Sequence, residues 1–534
     1  MTATAEGPRL LRSSAVVAAG SLLSRVTGLG RVAAMAWAIG VESRLADSYN
    51  AANNLPNIVY ELAVGGVLSA SLVPLFVERI DLGDREGVSA VASVTIVVLG
   101  IVAALGVLAA PAIGAFISLG VGGPGSEGYA EAATRLLRWF MPQVYFYGVL
   151  TLVTAMLNAR RRFTAAAFAP VMNNLVVIVM FLTLPAVAHG DLLGSDPLGV
   201  AHDEWRILLW LGLGTTLGVA ASAAVVAPSL ADRALGLRFN LDWRNPLIGR
   251  LVRLSGWTVG YVAANQLSFV ATLLVANRLT RGSIAAFDTA YLLFVVPHGL
   301  LAASFMTAVM PELARAVQRG DRRGLRREWA QGLRLVALVM MPASAGLFVL
   351  ATPVVQVLVR RAEDIELTAG VLRAFAVGLA GFSIYLYSLR PFYAEGDLRT
   401  PFRVNVAENA LQVVLTIVIG LGLATAPGLA LAHSIAYLVA AVGAFAVAAR
   451  RLGRVPVSWV SPLVTMAFAA LAMAVVVAAV LQLADLAGVT LPALAQLVVG
   501  VGVGVPTYAA YLYLFGGGAE VQVVTARLRA VLGR

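Results

Sequence analysis

The chain contains no cysteine and no lysine, and charged residues make up only 13% of its 534 positions. Without cysteine there are no disulfides and no thiolate metal sites. Without lysine there is no P-loop, so the glycine-containing stretch GLGRVA, Gly28 to Ala33, is not a phosphate cradle of that kind. The four histidines (His189, His202, His298 and His433) are scattered, and none has zinc-ligand spacing. The apolar runs also lack the period-two alternation of barrel strands. GVGVGVP, Gly500 to Pro506, suggests a nucleotide-binding loop, but it lies inside an apolar run with no strand before it. These absences argue against an ATP-driven pump and against a hydrolase built on a catalytic triad. No organic cofactor is expected.

What is present is apolar: 60% of residues are hydrophobic. A soluble protein could not hide that much apolar surface. Runs long enough to cross a bilayer recur from end to end, and lipid leaves helices as the spanning form. We expect an all-α polytopic membrane protein with about fourteen transmembrane helices. They cover residues 13–40, 47–77, 88–119, 130–158, 163–188, 205–228, 246–278, 283–314, 331–359, 366–393, 400–424, 426–449, 458–484 and 490–515. Arg9, Arg12 and the apolar run from Ala15 to Leu23 mimic a signal peptide. No small-residue cleavage site follows, so this segment reads as an uncleaved first span.

The net charge is +11. In a soluble protein that would suggest nucleic acid; here cytoplasmic loops facing anionic lipid are the simpler reading, and no nucleic-acid partner is expected. With the N-terminus in the cytoplasm, the inside loops gather arginines in groups, such as Arg160–Arg162, Arg233 with Arg238 and Arg244, Arg322–Arg323 with Arg326–Arg327, and Arg450–Arg451. The outside loops hold few (Arg44, Arg281, Arg360, Arg361) together with Asp191, Asp196, Asp203, Glu363 and Asp364. This asymmetry puts both termini in the cytoplasm. The tail from Glu520 to Leu532 is expected on the inner membrane surface. Trp37, Trp139, Trp205 and Trp459 read as interface anchors.

The chain repeats itself. LVPLFVERIDLGDREG closes the second span and AVMPELARAVQRGDRRG the eighth. In both, a proline (Pro74, Pro311) precedes Gly-Asp-Arg-x-Gly, at Gly83–Gly87 and Gly320–Gly324. Both spans carry an earlier proline, in Leu55-Pro56 and Val296-Pro297. A second echo links LNARRRFTAAAFAPVMNN, from Leu157, to FYAEGDLRTPFRVNVAEN, from Phe392. The halves run parallel, and we divide the chain into 1–228, 229–450 and a C-terminal 451–534. Parallel repeats of this kind build transporters with a central site.

Arg25 and Arg31 lie inside the first span, where a charged arginine costs about 2.5–3.5 kcal/mol. Six residues apart on an ideal helix they point about 120° from each other. Gly28 and Gly30 suggest a kink that would bring both into one cavity. Two readings are open: the pair holds an anion such as a diphosphate, or Arg25 snorkels to the interface while Arg31 pairs with Asp47 or Glu61. In the second span Asn50, Asn54, Asn57 and Glu61 share a helix face, suited to a sugar headgroup or to interhelical hydrogen bonding. Gly65, Gly66, Ser69 and Ser71 read as close helix packing. Asn405, Glu408 and Asn409 inside the eleventh span can hold Na⁺, carry a proton or form a packed polar patch. Asp288, His298, Arg373 and Arg390 are single polar hints of the same kind.

SRVTGLGR, Ser24 to Arg31, followed by ADSYNAANNLPNIVYELAVGGVLSASLVP, resembles the MurJ (MviN) family of the multidrug/oligosaccharidyl-lipid/polysaccharide exporter superfamily. The Leu-Pro-Asn-Ile-Val-Tyr-Glu-Leu form looks like actinobacterial members. The resemblance implies two six-helix lobes in a V, plus two C-terminal helices that form a lipid groove. It implies a lipid II flippase of peptidoglycan synthesis in the bacterial cytoplasmic membrane, working by alternating access on the membrane potential, with Na⁺ or H⁺ as a further coupling ion. Lipid II or a related polyprenyl-diphosphate sugar, membrane lipid and cell-wall synthesis proteins are the implied partners. By motif match Ser24, Arg25 and Arg31 fall on the family's serine and essential arginines, Asp47 on its acid before the second span, and Asn57 on the asparagine of Leu-Pro-Asn. The chain departs from the family at Tyr60, Leu292 and Val295, where charged residues are usual, and at Val32; Arg278 or Arg253 are the candidates to compensate. Alternatives are an exporter of another polyprenyl-linked oligosaccharide, a cation-coupled drug exporter, and a non-transporting cell-wall scaffold.

Overall fold

The computed structural model describes residues 6–62, 72–122, 126, 128–160, 162–194, 196–228, 238–453 and 461–515. Among them there is no strand. The helices are α1 (Glu6–Ile39), α2 (Arg44–Tyr60), α3 (Leu72–Asp81), α4 (Arg85–Ile117), α5 (Tyr129–Phe140), α6 (Gln143–Ala159), α7 (Thr164–Thr183), α8 (Pro197–Asp203), α9 (Trp205–Val226), α10 (Pro246–Ala276) and α11 (Ser283–Pro297). They continue as α12 (Ala303–Gln318), α13 (Arg322–Val349), α14 (Ala351–Gln356), α15 (Ala362–Ser388), α16 (Arg390–Ala394), α17 (Arg399–Leu415), α18 (Leu421–Leu423), α19 (Ala426–Leu452), α20 (Ser461–Leu486) and α21 (Ala493–Phe515).

Twelve helical stretches, from Arg85–Ile117 to Ala493–Phe515, are long and apolar enough to cross a membrane. They match the third to fourteenth expected spans. The first expected span is the 34-residue α1, diluted by its arginines and glycines. The second is α2, only 17 residues, with α3 beyond it. Positions 63–71, including Gly65, Gly66, Ser69 and Ser71, lie outside the described residues, as do Trp459 and the 520–532 tail. The all-α polytopic class stands, while fourteen is an approximate count. Large apolar side chains such as Leu108, Val442, Val498 and Leu514 are more than two-thirds exposed, a surface suited to lipid and not to water.

The chain forms two compact units, Met1–Ala285 and Ala286–Arg534. In the first, α1 packs on α7, α7 on α9, α2 on α5, and α4 on α5 and α6. The start of α10 joins the α3–α4–α6 core through Leu247 and Leu251. Between helices in lipid there is little hydrophobic driving force, so small residues that permit close approach decide the packing. A Cβ at Gly20 would lie 2.7 Å from the Ala167 Cβ of α7. The ends of α1, α4 and α10 meet in a clasp: Ser43 Oγ donates to the Ile39 carbonyl and accepts the Ala46 N–H, capping α2. Gly282, with φ +79°, brings the α10–α11 turn against the Val41 carbonyl, which a Cβ would approach to 2.8 Å.

In the second unit α15 lies against α19 and α13 against α15 and α20. Its core is centred on Trp329, Met340, Tyr385 and Tyr387. A Cβ at Gly378 would sit 2.6 Å from Ser434 Cα, so the α15 and α19 backbones touch. α20 and α21 close over Ala337 and Leu350 through Met466, Met473, Tyr508 and Leu512. GVGVGVP is part of α21, where Gly500 packs on Leu350 and Gly504 on Val477 and Met473.

The repeat is visible atom by atom. Gly83 and Gly320 take φ of +70° and +65°. Asp84 N–H donates to Arg79 O at 2.9 Å, and Asp321 N–H to Ala316 O at 3.0 Å, each closing the preceding helix. Asp84 Oδ1 then accepts the Gly87 N–H at 2.8 Å, as Asp321 Oδ1 accepts that of Gly324 at 2.8 Å. Each aspartate thus caps the helix that follows. The second echo keeps the first half of this turn at Gly396 (φ +74°) and Asp397, whose Oδ1 accepts the Arg399 and Thr400 N–H groups. The earlier prolines are likewise each followed by π-helical backbone, at 61–62 and at His298–Ala302.

Candidate functional site

The first unit carries a polar seam along α1, α2, α6 and α7. Arg25 and Arg31 are half-buried, and neither has an ion-pair partner among the described residues. α1 is continuous helix through Gly28 and Gly30. The glycines receive α7: a Cβ at Gly28 would meet Asn174 Nδ2 at 3.7 Å, and one at Gly30 would meet Ile178 Cδ1 at 3.4 Å. Asn174, 7% exposed, donates to the Ser24 carbonyl and to Thr27 Oγ1, both at 3.0 Å. It fixes the turn of α1 that bears Arg25. Leu22 and Val26 face outward. Arg31, about 120° around from Arg25 by ideal helix geometry, lies close enough to Tyr49 and Tyr147 to act on both electrostatically.

Those tyrosines belong to an aromatic wall in which Tyr49 is buried and Tyr147 half-buried. Tyr49 hydroxyl pairs with Thr215 Oγ1 at 2.8 Å, and its ring meets Phe140 and Phe181 edge-on. Tyr60 hydroxyl pairs with Thr151 Oγ1 at 2.6 Å, and its ring lies 5.3 Å from that of Tyr147. Tyr60, at a position where the sequence resemblance leads one to expect charge, is thus bonded within the seam. Val32 is buried in packing. Arg278 lies over Gly120, and Arg253 is exposed on α10.

On α2, Asn50, Asn54, Asn57 and Glu61 are all half-buried along one face. Asn50 Nδ2 donates to the Ala46 carbonyl and Asn57 Nδ2 to that of Asn53, leaving their Oδ1 atoms turned away from the helix backbone. Asp47 has a different place. It is 1% exposed. Its Oδ2 accepts the Gly282 N–H at 2.7 Å, and its Oδ1 accepts those of Ile284 and Ala285 at 2.9 and 3.2 Å. Arg44 is 3.8 Å away. Asp47 is thus the acid that satisfies the first turn of α11, whose N–H groups have no intrahelical acceptor. It is not free to pair with Arg31.

In the second unit Asn405, Glu408, Asn409, Gln412 and Thr416 are all buried along one side of α17, and α17 runs into π-helical Thr416–Gly420. Asn409 Nδ2 donates to the Asn405 carbonyl at 2.9 Å. Both Glu408 carboxylate oxygens are buried without a hydrogen-bond partner among the described residues. Tyr291 lies close enough to feel the charge of Glu408. Beyond Tyr291 stands His433, 7% exposed and edge-on to Tyr291, Phe294 and Phe375. The other polar hints are bonded locally: His298 Nδ1 pairs with Ser383 Oγ at 2.9 Å, Arg373 Nη2 donates to Thr352 Oγ1, and Arg390 approaches the Met306 sulfur at 3.5 Å.

Reading the sequence alone missed Asn174, Tyr49, Tyr147 and His433 as members of these seams. Asn174 had a signal, the paired amides of the VMNN echo. The aromatics had none, because a tyrosine in an apolar run is indistinguishable from core.

Helices long and apolar enough to cross a bilayer, a repeated turn and polar seams within apolar units are the features of a multi-span helical membrane transporter. A family model described as "Lipid II flippase MurJ" matches residues 35–499. The chain belongs to the MurJ family of lipid II flippases. The "Probable lipid II flippase MurJ" of Vibrio cholerae serotype O1 is 28% identical over 438 residues, covering 78% of this chain and 80% of the relative. A solved lipid II flippase MurJ in an inward closed conformation shares the fold, with a TM-score of 0.75 at 20% identity over 93% of this chain and 98% of that one. A multidrug resistance MATE family transporter of the MOP superfamily, solved inward-facing, has a TM-score of 0.65 at 16% identity and covers 80% of this chain and 94% of that one.

Proposed function

We propose that this protein moves lipid II, the polyprenyl-diphosphate-linked peptidoglycan precursor, from the inner to the outer leaflet of the bacterial cytoplasmic membrane by alternating access. The observation that carries the reading is the pair of half-buried arginines on α1, which have no ion-pair partner among the described residues. A desolvated guanidinium without a partner is a site awaiting an anion, and a diphosphate matches its fork of donors. Ser24 and the α2 residues Asn54, Asn57 and Glu61 supply hydrogen-bonding groups of the kind a sugar or peptide headgroup needs. Asp47 belongs to this set as the residue that holds α11 in place. By the sequence repeat the halves are 1–228 and 229–450, followed by 451–534, although α10 of the second repeat packs within the first compact unit, Met1–Ala285.

Both termini lie in the cytoplasm, as the arginine asymmetry of the loops supports. For a headgroup of charge about −2 and a potential of ~100 mV, negative inside, outward movement is favoured by roughly 4–5 kcal/mol. No organic cofactor takes part. A cation, Na⁺ or H⁺, at Asn405, Glu408 and Asn409 adds to the driving force. What supports this is Glu408: an ionised carboxylate buried without a partner is costly, so the position takes a proton or a cation. Cell-wall synthesis proteins that consume the flipped lipid are the partners this role implies.

Tyr60 in its neutral bond to Thr151 supports a second reading, in which the cargo is a different polyprenyl-diphosphate sugar. The test is rescue of a bacterium depleted of its own lipid II flippase, with labelled lipid II followed across the membrane. Wild type restores exposure on the outer leaflet, and Arg25→Ala and Arg31→Ala at matched expression abolish it. Full expression without exposure of lipid II refutes the first reading: the cargo differs or the protein is not a flippase.

A further inference from the structure

A separate site lies in the first unit, away from the polar seam. Between the C-terminal half of α5 and the start of α9 is a cleft of about 520 Å³, lined by Arg135, Arg138, Trp139, Trp205, Leu208 and Leu209. Two arginines and two indoles share it with a leucine floor. The α5–α9 approach that forms it depends on Gly212, where a Cβ would lie 2.7 Å from that of Trp139. The backbone there is pinned by Thr216 Oγ1 donating to the Trp139 carbonyl at 2.6 Å.

Under the topology proposed above, α5 and α9 both enter from the outside of the membrane, which puts the cleft near the depth where tryptophan belts lie. This is the side on which arginine is scarce. Arg44 there is engaged with Asp47 and with the Gly122 carbonyl, and Arg281 lies 3.9 Å from Glu42. Arg135 pairs with Glu131. Arg138 has no ion-pair partner among the described residues, although it stands beside Trp139 and Trp205, which are 40% and 59% exposed.

We infer that this cleft holds the phosphate headgroup of an anionic glycerophospholipid in the outer leaflet. Arg138 donates to the phosphate with Arg135 behind it, the indoles bracket the glycerol region, and Leu208 and Leu209 meet the first acyl carbons. An arginine fork fits a phosphate bidentately, and tryptophan suits a boundary that is apolar on one side and wet on the other. The inference rests on the orientation proposed above and is independent of the cargo.

The experiment uses the full-length protein in detergent, with phosphatidylglycerol and phosphatidylcholine titrated in parallel and retained lipid counted by native mass spectrometry. Wild type retains phosphatidylglycerol preferentially. Arg138→Gln weakens that preference about fivefold and the Arg135→Gln/Arg138→Gln pair further, at roughly a fivefold loss per charge. Phosphatidylcholine retention stays unchanged, which shows the variants fold. Inorganic phosphate at millimolar concentration does not compete, which separates a lipid headgroup from a free anion. Equal retention of phosphatidylglycerol by wild type and the double variant overturns the inference, as does displacement by inorganic phosphate. If labelled lipid II competes with phosphatidylglycerol mole for mole at the cleft, the site belongs to the cargo and the inference also falls. Orientation is read separately: the chain has no cysteine, so Asp203→Cys is a unique label site. A membrane-impermeant maleimide reaches it in intact cells if the cleft faces outward. Labelling only after lysis assigns the cleft to the inner leaflet and overturns its outer-leaflet placement, while the binding data stand.

Discussion

Replacing Asp47 by alanine removes the acceptor for three backbone N–H groups at once, those of Gly282, Ile284 and Ala285 at 2.7, 2.9 and 3.2 Å. The site is 1% exposed, so water does not readily substitute. Hydrogen bonds to a charged group contribute about 1.5–3 kcal/mol each. Allowing for one donor finding a new acceptor, two lost bonds cost about 3–6 kcal/mol. Asp47→Asn keeps an oxygen for Ile284 and Ala285 but turns an amide toward the Gly282 N–H, a loss of about 1–2 kcal/mol. The assay is hydrogen exchange by mass spectrometry on the peptide covering 282–290 in lipid nanodiscs. At about 1.4 kcal/mol per tenfold, exchange there quickens at least about 100-fold in the alanine variant and about tenfold in the asparagine variant. Arg281→Gln, at a largely exposed side chain 3.9 Å from Glu42, serves as control and changes exchange less than about threefold. Wild-type exchange across 282–286 in Asp47→Ala would refute the assignment of Asp47 as the cap of α11.

Other expectations follow from the same contacts. Asn174→Leu removes the bonds to Ser24 and Thr27 and costs about 1–2 kcal/mol, read as a lower apparent melting temperature in detergent; an unchanged value speaks against Asn174 as the tie between α1 and α7. Gly20→Val, facing Ala167 at 2.7 Å, forces α1 off α7 and lowers the yield of monodisperse protein, whereas Gly443→Val, with open space around it, leaves the yield unchanged. Asp397 lies between membrane helices. Burial pushes its carboxyl up, but the Thr400 hydroxyl and N–H, the Arg399 N–H and the Arg451 charge outweigh this and hold it below its usual 3.8. Its cap on α17 is therefore intact at neutral pH and at pH 5, and is lost as pH falls below 3.8 through the lowered value. Exchange at residues 399–402 measured at descending pH reads this, and loss of protection already at pH 5 would contradict it.

The membrane helices were legible because apolar run length and loop arginine density are one-dimensional properties. All twelve of the later expected spans coincide with helices of the right length. The GDREG and GDRRG turns were legible for a sharper reason: positive φ admits glycine, and the following cap admits few residues besides aspartate. The arginine environment was only half legible. Arg25 and Arg31 stand out as charges in an apolar run, but whether a glycine bends a helix or receives a neighbour depends on a second helix, here α7, whose register a local reading does not supply. Asp47 shows the same limit more strongly, since its three partners lie more than 230 positions away in the chain.

The paired Gly-Asp turns have a consequence for how this chain diverged from itself. At Gly83 and Gly320 a side chain is strained whatever surrounds it, and at Gly87 a Cβ would lie 2.5 Å from the capping Asp84 Oδ2. A side chain at these points is therefore costly in each copy separately, and the turns serve as registration marks between the two copies. Laid out in the LNARRRF and FYAEGDL register, Asn173 and Asn174 of the first copy stand opposite Glu408 and Asn409 of the second. The matched polar step is an amide tie between neighbouring helices in one copy and a buried acid in the other, so the two copies differ in chemistry at a single pair of positions.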